Sequence, residues 1–348
     1  MGSWGRHSEG KSKCTLVKKE TKTMRIRLNW ARLCVAIAGL LSVCSVLAQA
    51  YPSKSIRLVV PFPPGGAVDF YARAVQPALA EALGQPVVID NKAGASGMLG
   101  AGIVAQSAPD GYTLLLGNIA SLAINVGIYD KMPYDPRKDF THIVRTVDVN
   151  YVLVVHPSLP VKTVAELVQY AKANPGKLSY GSAGSGSLPH LGTELLKAQA
   201  GIDLVHVPYK GGGPMVTDAL GGQIQVVLGD QANLMPHVQT GRLRALAVAT
   251  TKRSANAPNI PTIAESGLPG YDATAWQGLV GPAGMNAEVV KKINEAFNKV
   301  MVTPALRDKL IAGGLDPMGG TPAQFSRFID SEITKWTKIA KDVGAKAE

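Results

Sequence analysis

Glycine-rich turns at the ends of apolar runs are the stretches of this sequence best suited to chemistry. They occupy residues 63–66, 94–100, 182–187 and 208–213. A turn of this kind at the start of a helix leaves backbone N–H groups without partners within the helix, and the helix dipole places its positive end beside them. Such a turn favours a carboxylate or a phosphate. Glycine in a single turn is usually present only because the backbone geometry of the turn favours it. The predicted anion site therefore depends on several turns meeting at one cleft.

Four polar side chains are further candidates, three of them beside these turns. Asp69 lies in the first turn of a predicted helix, where a carboxylate complements the dipole, and this favours a structural role over activation of a nucleophile. Asp230 follows a predicted strand and has two open interpretations, facing a cleft or capping a turn. Tyr209 and Lys210 precede a glycine run, and Lys210 is the cation nearest to such a turn.

Sequence patterns typical of catalysis and metal binding are missing from the chain. It has no Gly-x-x-x-x-Gly-Lys-[Ser/Thr] phosphate loop, no Gly-x-Ser-x-Gly nucleophile turn and no His-Glu-x-x-His metal pair. The histidines after residue 50 are scattered without metal-ligand spacing, so we interpret them as structural. His190 is the best candidate among them for a functional role, because it follows the serine-rich turn. The sequence therefore predicts no cofactor, no bound metal and no catalysis.

Apolar runs that alternate with helical periodicity predict βα units and a parallel sheet. The predicted strands are residues 56–61, 87–90, 112–117, 152–156, 178–181, 204–207, 224–228 and 243–249. The predicted helices are residues 67–83, 103–107, 164–173, 190–199, 287–302 and 322–343, with a further helix that ends at residue 220. Pro77 is predicted to interrupt and kink the first helix. Trp276 is interpreted as a hinge or core residue rather than a stacking platform for a ligand.

The length of the chain predicts two lobes. Its 348 residues exceed the roughly 250–300 residues that a single compact core reaches. A composition of 46% hydrophobic and 18% charged residues excludes a disordered chain and a protein with many membrane spans.

The formal net charge of +11 is concentrated at the N-terminus. The first fifty residues hold nine of the 36 basic residues and two of the 25 acidic ones, so 27 basic and 23 acidic residues remain. That remainder contains no long basic run interleaved with aromatic residues. The sequence therefore argues against a nucleic-acid partner.

The N-terminal segment has the organisation of a secretion signal. Arg25, Arg27 and Arg32 precede an apolar run over residues 33–47, and Ala48-Gln49-Ala50 then forms a small-x-small cleavage site. We predict cleavage after Ala50 and a periplasmic destination, with Met24 as an alternative start. All three cysteines, Cys14, Cys34 and Cys44, fall within the removed segment, which excludes disulfides and thiol chemistry from the mature chain. Lipidation at Cys44 is disfavoured by the bulky residue before it.

Several ordered motifs resemble one known family. They are Val60-Pro61-Phe62-Pro63-Pro64-Gly65-Gly66, Asn91-Lys92-Ala93-Gly94-Ala95-Ser96-Gly97, Pro109-Asp110-Gly111-Tyr112-Thr113-Leu114 and His206-Val207-Pro208-Tyr209-Lys210-Gly211. Together they resemble the Bug family, the extracytoplasmic solute receptors of tripartite tricarboxylate transporters (TTT). The likeness extends from Tyr51 to the C-terminus.

The resemblance implies an α/β fold of the two-lobed periplasmic-binding-protein (Venus-flytrap) type, with a mostly parallel sheet flanked by helices in each lobe. After the extension and signal segment (residues 1–50), lobe 1 is expected to contain residues 51–150 and 272–348, and lobe 2 residues 151–271. The chain then crosses twice between lobes, with hinges near Tyr151 and residues 271–276.

The resemblance also implies which residues contact a ligand. In the family, the loop after the first strand holds one carboxylate through backbone amides, and a loop of the other lobe closes on it. The expected ligand-binding residues of lobe 1 are Phe62, Pro64, Gly65, Gly66, Asp69, Asn118, Ser121 and Asn125. Those of lobe 2 are Ser182, Ala183, Gly184, Gly186, His190, Tyr209, Lys210 and Asp230. Gln231 stands where the family often has Asn, so the resemblance leaves open whether Gln231 has the ligand-binding role of that Asn.

The function implied by the resemblance is that of a monomeric receptor. It would capture a small carboxylate between the lobes and deliver it to the permease subunits of a tripartite tricarboxylate transporter. Dicarboxylates, tricarboxylates, acidic amino acids and aromatic carboxylates all suit such a site. Two alternatives stay open: a secreted enzyme that acts on a small carboxylate with Asp69 or His190 as base, and a periplasmic sensor of such a ligand.

Overall fold

The computed structural model describes residues 51–346. Contacts divide the chain into two units, Met1–Ser53 and Lys54–Glu348. The predicted signal segment, its cleavage site and Cys44 lie outside the described residues. Within residues 51–346, no helix combines the length and the apolar character needed to cross a membrane.

Strands and helices alternate along the second unit. The strands are β1 Ile56–Val60, β2 Val87–Asn91, β3 Thr113–Asn118, β4 Phe140–Val149, β5 Tyr151–Val155, β6 Ser179–Ser182, β7 Val205–Pro208, β8 Val226–Asp230, β9 Arg244–Val248, β10 Ala275–Pro282 and β11 Leu315–Pro317. The helices are α1 Ala67–Leu83, α2 Met98–Ala105, α3 Asn125–Ile128, α4 Val164–Ala173, α5 Leu188–Ala200, α6 Gly212–Leu220, α7 Gln231–Gln239, α8 Ala287–Met301, α9 Pro304–Ala312 and α10 Pro322–Asp342. A turn of π-helix, Ala120–Ile124, precedes α3.

Two separate sheets organise these elements. The first has the order β11-β4-β10-β3-β1-β2, and the second has the order β7-β6-β8-β5-β9. The chain leaves the first sheet between β4 and β5 and returns to it between β9 and β10. The two-lobed α/β architecture is therefore confirmed.

Both sheets are mixed, with four of six strands in the first and four of five in the second running in the same direction. In the first, β1 pairs in parallel with β2 and β3, whereas β10 is antiparallel to β3 and β4, and β11 is antiparallel to β4. In the second, β6 is parallel to β7 and β8, whereas β5 is antiparallel to β8 and β9. The sequence prediction omitted β4, β10 and β11. Strand β4 is not followed by a glycine turn and a helix, which was the pattern used to find strands, whereas β10 and β11 do lead through Gly284 and Gly320 into α8 and α10.

The first lobe contains a buried charged network against the sheet. Glu332 of α10 is 4% exposed, and its Oε2 accepts hydrogen bonds from the indole nitrogens of Trp276 and Trp336 at 2.8 and 2.9 Å. Its Oε1 lies 2.5 Å from Nζ of Lys335. Trp276 is fully buried on β10, which makes it a core residue. The second lobe has its own apolar core, which includes Val154, Met215, Ile224 and Leu234.

Two predicted helices differ from the observed ones. Helix α1 continues through Pro77 as one element, so the predicted interruption is wrong; buried Val75 and Leu79 on either side anchor the helix. Helix α2 begins at Met98, several residues earlier than predicted, because Gly97 takes the left-handed conformation (φ 87°) and turns the chain directly into the helix.

Asn150 lies at the first crossing between the sheets. Its backbone carbonyl accepts from the amide of Gln231 at 2.8 Å, and its Nδ2 donates to Ser254 Oγ at 3.0 Å and to Asp316 Oδ2 at 3.1 Å. This one residue therefore bonds to the elements on both sides of the crossing. The predicted hinges and lobe boundaries remain predictions.

Candidate functional site

The loop between β1 and α1 is held by a buried carboxylate. Oδ2 of Asp69 accepts from the Gly65 amide at 2.9 Å and from Arg73 Nε at 2.8 Å, and its Oδ1 accepts from Asn91 Nδ2 at 3.0 Å. Asn91 Nδ2 also donates to the Phe62 carbonyl at 3.0 Å. The bond from Arg73, followed by those from Gly65 and Asn91, lowers the pKa of Asp69 to about 2. Both carboxylate oxygens are thus occupied in shaping the loop.

The same loop leaves the start of α1 without a side-chain cap. Gly65 adopts a left-handed φ of 88°, and Gly66 is the N-cap residue but has no side chain that could bond to the first amides of the helix. Pro64, Gly65 and Gly66 are exposed. In contrast, α4 and α8, whose N-caps are Thr163 and Asn286, begin with side-chain hydrogen bonds to backbone amides. The amides at the start of α1 are therefore suited to an external acceptor.

The predicted polar residues of lobe 1 adjoin this loop through Phe62. A Cβ placed on Gly97 would lie 3.2 Å from both Phe62 Cζ and Ser121 Cβ, so these three residues share one site. Asn118 and Ser121 exchange hydrogen bonds, from Ser121 N to Asn118 Oδ1 and from Asn118 N to Ser121 Oγ, each at 3.1 Å.

Asn125 extends the same polar group. It is buried, and its Nδ2 donates to the Ser96 carbonyl at 3.1 Å. The structure therefore places the predicted residues Phe62, Asn118, Ser121 and Asn125 around the turns that end β1, β2 and β3.

Two histidines hold the loop between β6 and α5. Ser182 Oγ lies 2.7 Å from Nε2 of His206 and accepts from the Gly184 amide at 3.3 Å. The Gly186 amide donates to Nδ1 of His190 at 3.0 Å. The rings of His190 and His206 stack with centroids 4.1 Å apart and planes 6° apart. Burial, with the neighbouring His206 as a further cause, lowers the pKa of His190 to about 4. The amide of Gly186, a predicted ligand residue, is thus directed at His190.

The loop of lobe 2 also reaches lobe 1. Gly186 has φ 76°, and a Cβ placed there would lie 2.5 Å from Cδ1 of Ile128 in α3. Both features require glycine at this position, because a side chain would be strained and would clash. Ala183, Gly184 and Ser185 are half-buried beside this approach.

A groove of about 510 Å³ opens next to Ala183. It is lined by Tyr151, Met215, Leu234 and Asp230 together with further residues of lobe 2. The Asp230 side chain caps α7 by accepting from the Ala232 amide at 2.8 Å, and burial raises its pKa. Asp230 therefore combines the two roles that the sequence left open, since it caps a helix and lines the groove.

Tyr209 and Lys210 are placed differently from the residues above. The hydroxyl of Tyr209 donates to Oδ2 of Asp218 at 2.7 Å, and burial, together with that carboxylate, raises its pKa to about 12. The Tyr209 carbonyl lies beside Gly184. Lys210 is exposed and does not line the groove. The Tyr209 backbone therefore lies beside the loop of residues 182–187, whereas Lys210 does not line the groove.

The sequence reasoning missed Asn91, His206 and Ile128 as site residues. Asn91 ends β2 directly opposite Val60, and a polar residue at the end of this strand could have indicated a site residue. His206 is paired with Tyr180, two residues before Ser182, but this neighbour relation depends on the β6–β7 register. Ile128 belongs to an ordinary apolar run and carries no signal of its role.

Gln231 and Gln277 are buried with incomplete hydrogen bonding. They are 2% and 1% exposed, and neither Oε1 has a hydrogen-bond partner among the described residues. Gln277 lies opposite Asn118 in the sheet, and Gln231 follows Asp230 at the end of β8. Over residues 51–346, no group of His, Asp or Glu side chains is arranged to hold a metal ion.

Two α/β lobes joined by two crossings, with amide-rich loops at strand ends in each, define the periplasmic-binding-protein fold. The chain belongs to the receptor family of tripartite tricarboxylate transporters, since residues 71–345 match the family model described as "Tripartite tricarboxylate transporter family receptor". The predicted family is thereby confirmed.

Individual relatives agree with this assignment. Protein BugT of Bordetella pertussis is 37% identical over 313 residues, which cover 90% of this chain and 95% of BugT. The solved structure of Rpa4515 from R. palustris with adipate has a TM-score of 0.75 and 38% identity, and covers 85% of this chain and 99% of that one. MatC (Rpa3494) from Rhodopseudomonas palustris with bound malate has a TM-score of 0.70 and 31% identity, with coverage of 83% and 99%.

Proposed function

We propose that this protein is a periplasmic receptor that captures a small carboxylate between its lobes and delivers it to the permease subunits of a tripartite tricarboxylate transporter. The observation that carries the proposal is the loop of residues 62–66, which Asp69 holds against the uncapped start of α1. The loop leads directly into the backbone amides at the start of α1, which have no side-chain cap. This combination favours an anionic group of the size of a carboxylate.

Neutral donors are sufficient for such a site. A hydrogen bond to an ionised acceptor is about twice as strong as one between neutral groups, and it gains further where water is excluded. The second loop, 182–187, is shaped by two histidines and approaches lobe 1 at Ile128. Closure of this loop over the first would exclude water, and the ligand would favour the closed state by its higher affinity for it.

The ligands present in two of the similar solved structures indicate the first candidates for the ligand of this protein. Adipate in Rpa4515 and malate in MatC are both small dicarboxylates. We propose the same chemical class as the first candidates here, with amino-acid and aromatic carboxylates next. We also retain the proposals of secretion through the segment 1–50, a monomeric state and no nucleic-acid partner.

The geometry argues against the enzyme alternative. The oxygens of Asp69 are occupied by three donors, and the Nδ1 of His190 accepts from Gly186. Ser182 and His206 are within the distance of a nucleophile and its base, but Ser182 is fully buried and its hydroxyl bonds within its own loop. These internal hydrogen bonds support the receptor over the enzyme.

The test is ligand-dependent thermal unfolding of the full chain, expressed with its own N-terminus and recovered from the periplasm of a bacterial host. A ligand at 100 times its Kd adds about 2.7 kcal/mol of stability, a shift of several degrees. Adipate, malate, citrate, glutamate and benzoate are the initial probes. A shift with recovery of the unaltered probe supports a receptor, whereas conversion of the probe supports the enzyme. Loss of uptake on gene deletion separates transport from sensing.

A further inference from the structure

Three aromatic rings form a continuous stack beside the loop 182–187. Tyr180 of β6 stacks on His206 of β7 with centroids 4.9 Å apart and planes 19° apart, and His206 stacks on His190 of α5 at 4.1 Å and 6°. His190 is 8% exposed and Tyr180 is fully buried. The stack therefore joins two strands and a helix at the base of this loop.

The stack is tied to the loop at both histidines. Nε2 of His206 lies 2.7 Å from Ser182 Oγ, at the start of the loop, and Nδ1 of His190 accepts the Gly186 amide at 3.0 Å, near its end. Because a backbone N–H can only donate, Nδ1 of His190 must be without a proton. Protonation there would place two donors face to face and a positive charge against the His206 ring.

The surrounding charges offer little compensation for a protonated His190. Glu194, one turn further along α5, already accepts from the Tyr180 hydroxyl at 2.6 Å and from Lys197 Nζ at 2.7 Å. Helix α10, which also packs on α5, brings Lys335, Lys338 and Asp342 to a groove beside Glu194, and Asp272 lines the same groove. Strand β8 carries no titratable residue before Asp230 at its end.

We infer that His190 and His206 are the positioning residues of the second ligand loop, and that this loop keeps its binding conformation only while His190 is neutral. The ligand-binding part of this inference rests on the proposed function, whereas the coupling between His190 and the loop does not. In this role His190 and His206 act on the ligand through the loop, in place of the direct contact that the resemblance implied for His190. They fix the directions of the backbone amides between Ser182 and Gly186. Protonation of His190 at acidic pH releases these amides.

The direct test is an NMR titration of the ¹⁵N-labelled full-length protein from pH 7 to pH 3.5 without ligand. We expect the His190 ring and the Gly184 and Gly186 amides to shift together, with one midpoint near pH 4. This midpoint follows from the lowered pKa of His190, about 4. A His190 ring that titrates near the ordinary value of 6.5, or loop amides that do not follow it, would overturn the inference whether or not any ligand binds.

The second test measures affinity for adipate and malate in the same pH range. His190→Gln keeps an acceptor for Gly186 but cannot gain a proton, so the ratio of wild-type to variant affinity cancels the protonation of the probe itself. We expect that ratio to fall about twofold by pH 4 and about fourfold by pH 3.5, relative to pH 7. His190→Leu, which removes the acceptor, should weaken binding at pH 7, whereas His156→Gln, remote from the loop, should not.

The outcomes separate the two proposals. A constant wild-type to variant ratio across the pH range contradicts the role of His190 in binding. Failure of every carboxylate probe to bind at pH 7 contradicts the proposed function and leaves the NMR titration as the test of the loop. If a substitution prevents folding, the NMR titration of the wild-type protein still tests the coupling between His190 and the loop.

Discussion

Oδ2 of Asp69 lies 2.9 Å from the backbone nitrogen of Gly65, so a side chain in the first turn of α1 holds the loop that leads into that helix. The same oxygen accepts from Arg73 one turn later. The loop conformation is therefore set by the helix it precedes, before any ligand is present. A site built in this way loses little conformational entropy on binding.

Replacement of Asp69 by Asn should destabilise the protein and reduce its sensitivity to acid. The amide retains one acceptor but cannot serve Gly65, Arg73 and Asn91 together, and we expect a loss of about 1–3 kcal/mol. The stability that wild-type Asp69 contributes is present above pH 3.8 and is lost as the pH falls towards its lowered pKa of about 2. Urea unfolding between pH 5 and pH 2 measures both effects. Asp130→Asn, at an exposed position, is the matched control, and equal pH profiles for all three proteins would contradict this role.

Replacement of Gly66 by Asp should weaken carboxylate binding without loss of stability. Gly66 has an extended φ of −81°, and a Cβ there meets only the Pro63 carbonyl at 3.8 Å, so the side chain fits. The new carboxylate would cap α1 and occupy the amides proposed for the ligand. We expect at least a tenfold rise in Kd, measured by calorimetry.

Gly66→Asn is the control for that experiment, because it has the same shape without the charge. It should weaken binding less than Gly66→Asp, and the difference between the two variants should shrink at high salt. Unchanged affinity in both variants would remove residues 62–66 from the site.

Replacement of Gly186 by Ala should impair closure of the two lobes. The methyl group would lie 2.5 Å from Ile128 Cδ1 in the other lobe, and the left-handed φ of 76° adds about 1 kcal/mol or more of strain. We expect weaker ligand binding and a more open form by small-angle scattering with saturating ligand.

The companion variants identify the cause. Ile128→Ala in the Gly186→Ala background removes the clash and should restore part of the affinity. Gly184→Ala is also strained, at φ 121°, but a Cβ there has no contact with Ile128, so this variant should gain nothing from the second change. Equal behaviour of both glycine variants would show that backbone strain alone is responsible.

Replacement of Glu332 by Gln should destabilise lobe 1. One carboxylate oxygen accepts from both Trp276 and Trp336, and the loss of its charge weakens these bonds and the contact with Lys335. We expect a loss of about 2 kcal/mol, within the range of about 1.5–3 kcal/mol for hydrogen bonds to charged groups. Tryptophan fluorescence during urea unfolding is the readout. Glu295→Gln on the exposed face of α8 should unfold like the wild type, and the same result for Glu332→Gln would mean that the network adds no stability.

Local sequence patterns were sufficient to predict those elements whose conformation depends on their own residues. Strand β1 was predicted at 56–61 and is Ile56–Val60, and the helix predicted at 322–343 is α10, Pro322–Asp342. The glycine turn after β1 was also identified from composition and order. In each case the relevant interactions are between near neighbours in the chain, so the apolar period and the turn residues specify them.

Elements whose role depends on distant partners were missed or misassigned. Strand β4 became recognisable only through its antiparallel pairing with β10, more than one hundred residues later. Asp69 was interpreted as a complement to the helix dipole, whereas its carboxylate also bonds to Asn91 at the end of the neighbouring strand. No local periodicity encodes such a pairing.

The sequence by itself determined the family, the glycine turns and the α/β character of this protein, because those properties lie in ordered motifs and short-range periodicity. The tertiary structure alone decided the mixed sheets, the stack of His190 on His206 and the approach of Gly186 to Ile128. These depend on strand register and on the packing of one lobe against the other. Such long-range relationships form only when the whole chain folds, because each requires residues far apart in sequence to be fixed within a few ångströms.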